Sequence, residues 1–317
     1  MGYPTDFEQD VLTKLETSQN RTHIAREIID VFGLDIAEEA VRKRVAYVAR
    51  KHNIAQGKKP IKRMFFDIET SFVQGWFWRA GWKERIGTHQ IIENSKIICI
   101  CYKWQYEDVV HSLTWDKKQD DKAMLHKFVK VLGEADEAIG HNIDRFDIPI
   151  IRTRCIKQDV LMFPTYRTLD TLKKAKHYFR FEANNLNYIG EFLKVGQKTP
   201  TTHELWEKVI YNKDKNALAE MVEYCQHDVV LNEDVFTAMM PYIDHNTNFA
   251  VQKGQDKWHC PECSGGNVTL SHTDTTPMGY IKRHMKCRDC RKFFKISNRT
   301  YLRYLIEKNR RELRATA

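Results

Sequence analysis

Five side chains in a few short patches constrain how this chain can fold. Asp67 and Glu69 lie in Phe65-Phe66-Asp67-Ile68-Glu69-Thr70, Asp147 ends Asn142-Ile143-Asp144-Arg145-Phe146-Asp147, and Tyr224 and Asp228 bracket Tyr224-Cys225-Gln226-His227-Asp228. Met64 to Ile68 reads as a buried strand, on which residues two apart project from one face. Two carboxylates near the end of such a strand are costly unless a cation compensates them. Asp228 lies about 160 residues beyond Asp67, so only a fold with long-range convergence can gather the acids.

Four carboxylates converging on hard divalent cations make a two-metal site for phosphodiester chemistry. The patterns Asp-x-Glu, Asn-x-x-x-Phe-Asp and Tyr-x-x-x-Asp, in that order, resemble the DEDD 3′→5′ exonuclease superfamily. More narrowly, the chain resembles the proofreading exonuclease of B-family DNA polymerases and its free-standing phage and bacterial relatives. The histidine subtype of that family has His five residues before the last Asp, where this chain has Glu223. Tyr224, four residues before Asp228, fits the tyrosine subtype.

The resemblance implies an α/β, ribonuclease-H-like mixed sheet with flanking helices, two Mg²⁺ or Mn²⁺ ions, and release of nucleoside 5′-monophosphates from DNA. It implies that Asp67 bridges both metals, that Glu69 and Asp228 complete the nucleophile-side metal, and that Asp147 holds the second largely through its waters. Tyr224 lies one helical turn before Asp228, so both face the same way. Its phenol would orient the attacking water rather than act as a strong base, since an unperturbed tyrosine titrates near 10. Asn142 resembles a family position that touches the substrate strand, with a turn-stabilising role as the alternative. Phe146 counts with the candidate substrate contacts and is expected in the core beside Asp147. Asp144 and Asp170 are expected to cap helices. Trp76, Trp78 and Trp82 crowd the stretch after the first motif, where polymerase-type relatives are aromatic-rich. Trp76 and Trp78 are expected either to stack on a frayed terminal base or to pack a long loop.

Residues 1–55 read as a small all-α domain. Phe7, Val11, Leu12 and Leu15 form a helical stripe, Thr22 caps a second run from Ile24 to Val31, and Gly33 closes it in the left-handed conformation. A third helix from Ile36 to His52 carries Val41, Val45 and Val48 on one face and Arg42, Lys43, Arg44, Arg50 and Lys51 on the other. This resembles a helix-turn-helix, with Arg42 and Arg44 as candidate DNA contacts; a plain docking bundle is the alternative. Residues 56–62 read as a linker. Residues 63–245 form the α/β unit, with strands at 63–68, 96–104, 108–115 and 136–140. Helices are expected at 119–133, 144–156, 169–178, 185–193, 203–211 and 215–240.

Cys260-Pro261-Glu262-Cys263 and Cys287-Arg288-Asp289-Cys290 stand 23 residues apart. Two such knuckles present four thiolates to one structural Zn²⁺, with no ligand position left for water. A zinc ribbon over 255–297 with a β-hairpin between the knuckles is expected, followed by a basic helix over 298–317. Lys282, Arg283, Lys286, Arg288, Arg291, Lys292 and Lys295 crowd the second knuckle, and Lys292 is a candidate backbone contact. Tyr280, Phe293 and Phe294 serve either stacking or the ribbon's own core. The remaining four cysteines read as buried thiols of a reducing compartment.

The net charge of +9 is concentrated in the tail, where residues 250–317 hold 15 Lys and Arg against 6 Asp and Glu. A basic segment beside such a core implies a grip on nucleic acid, with a DNA strand bearing a free 3′ end as the expected partner. A replication or recombination protein is a further candidate partner. No stretch approaches the ~20 apolar residues needed to cross a bilayer, and no signal-peptide pattern is present, so a cytoplasmic protein of a bacterial or phage-infected cell is expected. The length leaves no room for a polymerase domain. The same carboxylates would serve a ribonuclease or a structure-dependent endonuclease. A DNA-binding regulator on a nuclease scaffold is the alternative of another class.

Overall fold

The computed structural model describes residues 6–17, 21–33, 41, 44–45, 47–48, 61–78, 87–105, 107–244 and 247–315, with side chains undescribed at a few helical positions. The chain divides into two compact units, one of residues Met1–Ile61 with His245–Ala317 and one of Lys62–Asp244.

The second unit is built on a five-stranded mixed sheet. Its strands are β1 (Arg63–Thr70), β4 (Ile97–Trp104), β5 (His111–Thr114), β6 (Glu137–Gly140) and β7 (Thr168–Asp170), in the order β5-β4-β1-β6-β7. A two-stranded ribbon of β2 (Gln74–Gly75) and β3 (Ile91–Glu93) lies between β1 and β4 in sequence. β1 pairs antiparallel with β4 and parallel with β6, and β6 pairs parallel with β7. The central strand is buried from Arg63 to Phe66 and again at Ile68, as a strand covered on both faces is. Met64, Phe66, Ile68, Ile97 and Ile100 pack against helices α3 (Lys122–Leu132) and α4 (Asp147–Lys157) through Leu125, Phe128, Ile148 and Ile151.

The helices α5 (Thr171–Tyr178), α6 (Leu186–Phe192), α7 (His203–Ile210) and α8 (Lys215–Met239) complete the unit. α8 packs on β1 and β4. Asp170, Asn185 and Asp214 start α5, α6 and α8 by accepting first-turn N–H groups, each worth about 1 kcal/mol. These elements match the expected strands and helices to within a few residues. β7 was not foreseen, nor was the β2–β3 ribbon.

Three buried ion pairs brace the unit, one between strands β1 and β6, one between β4 and α8, and one between the start of α3 and α4. Arg63 Nε donates to Glu137 Oε2 at 2.7 Å, Lys103 pairs with Glu233, and Asp121 accepts from Arg154 Nε at 2.7 Å and Nη2 at 3.0 Å. Asp121 also accepts from the Ile97 N–H at 3.1 Å and Gln158 Nε2 at 2.8 Å. This satisfaction is the condition under which a buried charge is tolerated.

In the other unit, α1 (Phe7–Thr17) and α2 (Arg21–Phe32) pack with Val41, Val45 and Val48 around Phe7, Val11, Ala25 and Ile28. Gly33 takes the expected left-handed φ of 57°, but Thr22 lies inside α2, which begins at Arg21. The described part of the third helical segment, at 41, 44–45 and 47–48, is helical. Most of the anticipated recognition helix, including Arg42, lies outside the described residues. The unit continues through the short α9 (Phe249–Gln252). A three-stranded antiparallel sheet of β8 (Val268–Thr275), β9 (Ile281–Cys287) and β10 (Phe293–Ser297) then leads into α10 (Asn298–Ala315). The hairpin between the knuckles is β8–β9, turned at Gly279 with φ 82°. Among the described residues, no helix is long and apolar enough to cross a membrane.

Candidate active site

The sheet and α8 bring the expected acids together. Asp67 and Glu69 share one face of β1, and Asp228 descends from α8, which covers that face. Carboxylate oxygens of the three lie within 4.8 Å of one another. Asp147 heads α4 and interacts electrostatically with Asp67. Parallel pairing of β1 with β6 ends at Phe65. Beyond it, the backbone N–H groups of Ile68 and of Asp147 itself lie near the Asp147 carboxylate and favour its charged form.

Burial dominates the electrostatics. It lifts Asp67 well above the ordinary carboxylate range, helped by Asp147, Glu69 and Asp228 and opposed by Lys198. Burial and then Asp228 push Glu69 up to about 8. Burial carries Asp147 to about 7 against the pull of the two N–H groups, and raises Asp228 despite Lys198. Oδ1 of Asp147 and Oδ1 of Asp228 are buried and without a hydrogen-bond partner. A buried carboxylate oxygen with no donor is expensive. All-oxygen donors with two unmatched atoms fit hard divalent cations.

Tyr224 stands beside Asp228. Burial raises its phenol, so it is a neutral hydrogen-bonding group at physiological pH. Its hydroxyl accepts from Lys198 Nζ at 3.0 Å, and the same ammonium lies 2.5 Å from Asp228 Oδ2. Burial alone would lower the Lys198 pKa, but Asp228 and Tyr224 override it and the ammonium is held. Lys198 is the site residue that sequence reasoning missed. It stands in the irregular stretch Gly196-Gln197-Lys198-Thr199-Pro200, where no periodicity marks an inward-facing charge. Its N–H is pinned by Asn187 Oδ1 at 2.6 Å. Beside Glu69 a groove of about 380 Å³ opens, lined by Ser71, Phe72, Thr201, His203 and Trp206 among others.

The remaining expectations fare unevenly. Asn142 holds a turn: its φ is 74°, its N–H donates to Asp170 Oδ1 at 3.1 Å, and its carbonyl accepts from Arg145 and Phe146. Asp170 caps α5 as expected, through the Lys173 N–H. Asp144 does not cap α4; its carboxylate takes the Thr168 hydroxyl at 2.5 Å and Lys173 Nζ at 2.7 Å, because α4 starts only at Asp147. Phe146 is 41% exposed rather than in the core, since it precedes the first turn of α4. Trp76 and Trp78 are exposed at 43% and 92% and meet edge to face at 5.9 Å. Arg44 is engaged by Glu8 at 2.8 Å and lies over the Tyr47 ring.

In the tail, the sulfurs of Cys260, Cys263, Cys287 and Cys290 lie within 4.8 Å of one another. Cys260 Sγ meets Cys290 Sγ at 3.5 Å, and Cys263 Sγ meets Cys287 Sγ at 3.6 Å. Four convergent thiols fit a closed tetrahedral site. Lys292 contradicts its expected surface role. It is 1% exposed, because the knuckle turn that hands its carbonyl to the Cys287 N–H also folds the side chain inward. Phe294 is buried in the small core with Val268, Met285 and Ile296, whereas Tyr280 and Phe293 are exposed.

No curated protein matches this chain. Among solved structures, the chain is similar to a family B DNA polymerase from the hyperthermophilic archaeon Pyrobaculum calidifontis. The TM-score is 0.45 at 14% identity, with 70% of this chain and 31% of the polymerase covered. Residues 86–240 match the sequence profile of the RNase H superfamily, which agrees with the five-stranded mixed sheet and its flanking helices and supports a nuclease.

Proposed function

We propose that the chain is a metal-dependent 3′→5′ exonuclease that hydrolyses DNA phosphodiesters and releases nucleoside 5′-monophosphates. The observation that carries the reading is the convergence of Asp67, Glu69 and Asp228 within 4.8 Å, with unpartnered oxygens on Asp147 and Asp228 and with Tyr224 beside Asp228. Asp67, Glu69, Asp147 and Asp228 would hold two Mg²⁺ or Mn²⁺ ions. Such ions supply charge neutralisation at the leaving oxygen and an activated water.

The chain's own residues do the rest. Tyr224, kept as a phenol by burial, orients the attacking water by hydrogen bonding and removes no proton itself. Lys198 fixes the phenol oxygen and offsets part of the carboxylate charge. The groove next to Glu69 receives the terminal nucleotide. Trp76 and Trp78 offer exposed ring faces to a frayed base, with Asn142 and Phe146 beside the strand. The four knuckle cysteines hold a structural Zn²⁺, and the basic tail with Arg42 and Arg44 grips the phosphate backbone.

The test follows strands labelled at the 5′ or the 3′ end, DNA and RNA, single and double, with Mg²⁺ or Mn²⁺ and Asp147→Ala as control. A DNA ladder shrinking from the 3′ end and absent in the control is expected. Discrete internal cuts would make the protein an endonuclease, and RNA-only cutting a ribonuclease. Tight binding without metal-dependent cleavage would make it a DNA-binding regulator.

A further inference from the structure

The register of β1 and β4 sets a second group of ligand atoms beside the carboxylates. Cys101 lies opposite Asp67 and Cys99 opposite Glu69. Directly opposed residues of an antiparallel pair project from the same face, so both thiols share the face of the acids. Cys225 comes from the covering helix α8, between Tyr224 and Asp228. All three are free thiols at 0% exposure. Their sulfur atoms lie within 4.8 Å of one another. The Cys225 thiol is 3.5 Å from the Asp67 carbonyl oxygen and 3.9 Å from its Oδ2, and Cys101 donates to the Val222 carbonyl at 3.6 Å.

Scattered buried thiols serve as small apolar side chains and need no further role. Three sulfurs gathered from two elements onto one point offer something more specific. We propose that Cys99, Cys101 and Cys225 form a binding site for one soft, thiophilic cation of the zinc and cadmium class, and that its occupancy shuts off the adjacent carboxylate site. The second half rests on the nuclease reading above; the first does not.

The geometry needs little change. A metal–sulfur distance of about 2.3 Å sets sulfur–sulfur separations at roughly 3.8–4.0 Å, so the trio must close by about 1 Å at most. Ligand softness separates this site from its neighbour, since thiolates select soft cations and carboxylates select Mg²⁺ or Mn²⁺. Binding forms metal–sulfur bonds and releases the thiol protons to solvent, with no change of oxidation state. Once the Cys225 proton leaves, its contact with Asp67 is lost and the sulfur turns toward the cation. Asp67 then loses a neighbour that positions it, and the added charge lies directly beside the carboxylates.

The experiment uses the full chain, stripped of metal and titrated with ¹¹³Cd²⁺ alone. Thiolate-to-cadmium absorption gives the stoichiometry, and ¹¹³Cd resonance separates three-sulfur from four-sulfur environments. Wild-type protein is expected to take two thiolate-bound equivalents with two distinct resonances. Cys99→Ala and Cys101→Ala are each expected to take one, held by the knuckle cysteines. A single equivalent in wild type, or a second that persists in both variants, would overturn the site. The resonance measurement on wild type decides the matter even if a variant fails to fold. In Mg²⁺-supported cleavage, the second cadmium equivalent should lower the wild-type rate on the order of tenfold, the scale of losing an outer-shell partner, and leave Cys99→Ala unaffected. Cadmium uptake with unchanged wild-type cleavage would overturn the coupling. A chain that never cleaves would overturn the nuclease reading while the resonances still report on the thiol site.

Discussion

Asp147→Asn is expected to raise the stability of the Mg²⁺-free protein in alkaline buffer and to lower it in acid. Asp147 is 1% exposed, has the N–H groups of Ile68 and its own backbone nearby, and leaves Oδ1 without a partner. Burial carries its pKa from 3.8 to about 7. For a carboxyl raised on folding, the favourable contribution is whole below the unfolded value, near pH 4, and is lost as pH climbs through the folded value, near 7. Each pH unit between the two is worth about 1.36 kcal/mol. At pH 8.5 the ionised native state therefore carries a burden on the order of 4 kcal/mol that the unfolded chain does not.

Asparagine keeps an oxygen for the two N–H groups and never ionises. Its amide brings new donors into a buried place, at a cost of about 1–2 kcal/mol. The variant should thus be more stable than wild type by about 2–3 kcal/mol at pH 8.5, and less stable by no more than about 1 kcal/mol at pH 4.5, where wild type has already lost about 1 kcal/mol to ionisation of the unfolded chain. Urea denaturation at the two pH values checks this, in buffer lacking Mg²⁺ but without a chelator that would strip zinc. Added Mg²⁺ should stabilise wild type far more than the variant. An equal difference at both pH values would refute the reasoning, because Asp147 would then not titrate across that window.

Arg154→Ala should destabilise the protein by about 3–5 kcal/mol, since it strands Asp121 at 0% exposure; a loss under 1 kcal/mol in urea titration would contradict it. Asp121, held below its ordinary value because Arg154 and its other donors outweigh burial, contributes stability present above about pH 4 and lost as pH falls further. Lys198→Met removes the cation beside Asp228 and Tyr224. The midpoint of the pH–rate profile should then move to higher pH, and an unchanged profile would remove Lys198 from the site's electrostatics. Cys260→Ser should release about one equivalent of Zn²⁺ and destabilise the tail; unchanged zinc content would dismiss the four-thiol site.

The fold was legible where periodicity and long apolar runs carry the signal. Arg63–Thr70, Ile97–Trp104 and Lys215–Met239 follow their expected spans closely. β7 escaped notice because Thr168–Asp170 is three residues long, too short for alternation to show. Spacing put Asp67 and Glu69 on one face of a strand, because the strand period dictates it, and the structure brings both to Asp228. It failed wherever tertiary context decides exposure. Phe146 reads as core by its chemistry, yet stands at the mouth of a helix. Lys292 reads as surface by its charge, yet a knuckle turn buries it.

Lys198 marks where sequence reasoning ends for a physical reason. Acid neighbours add to burial in raising Asp67 and Glu69, and no strand or helix period fixes where the offsetting positive charge must come from. Any loop long enough can deliver it, and here Gly190 and Gly196 make this possible. A Cβ on Gly190 would meet the Gly196 carbonyl oxygen at 2.6 Å, and Gly196 takes φ 150°. Their close backbone approach lets the chain turn back from α6 toward α8. Substituting alanine at Gly190 should therefore displace the 196–198 segment and weaken the Lys198 contacts with Asp228 and Tyr224, although residue 190 touches neither. The pH–rate midpoint of Gly190→Ala should follow that of Lys198→Met. A normal profile in Gly190→Ala with an altered one in Lys198→Met would show that the loop reaches the site without this glycine contact.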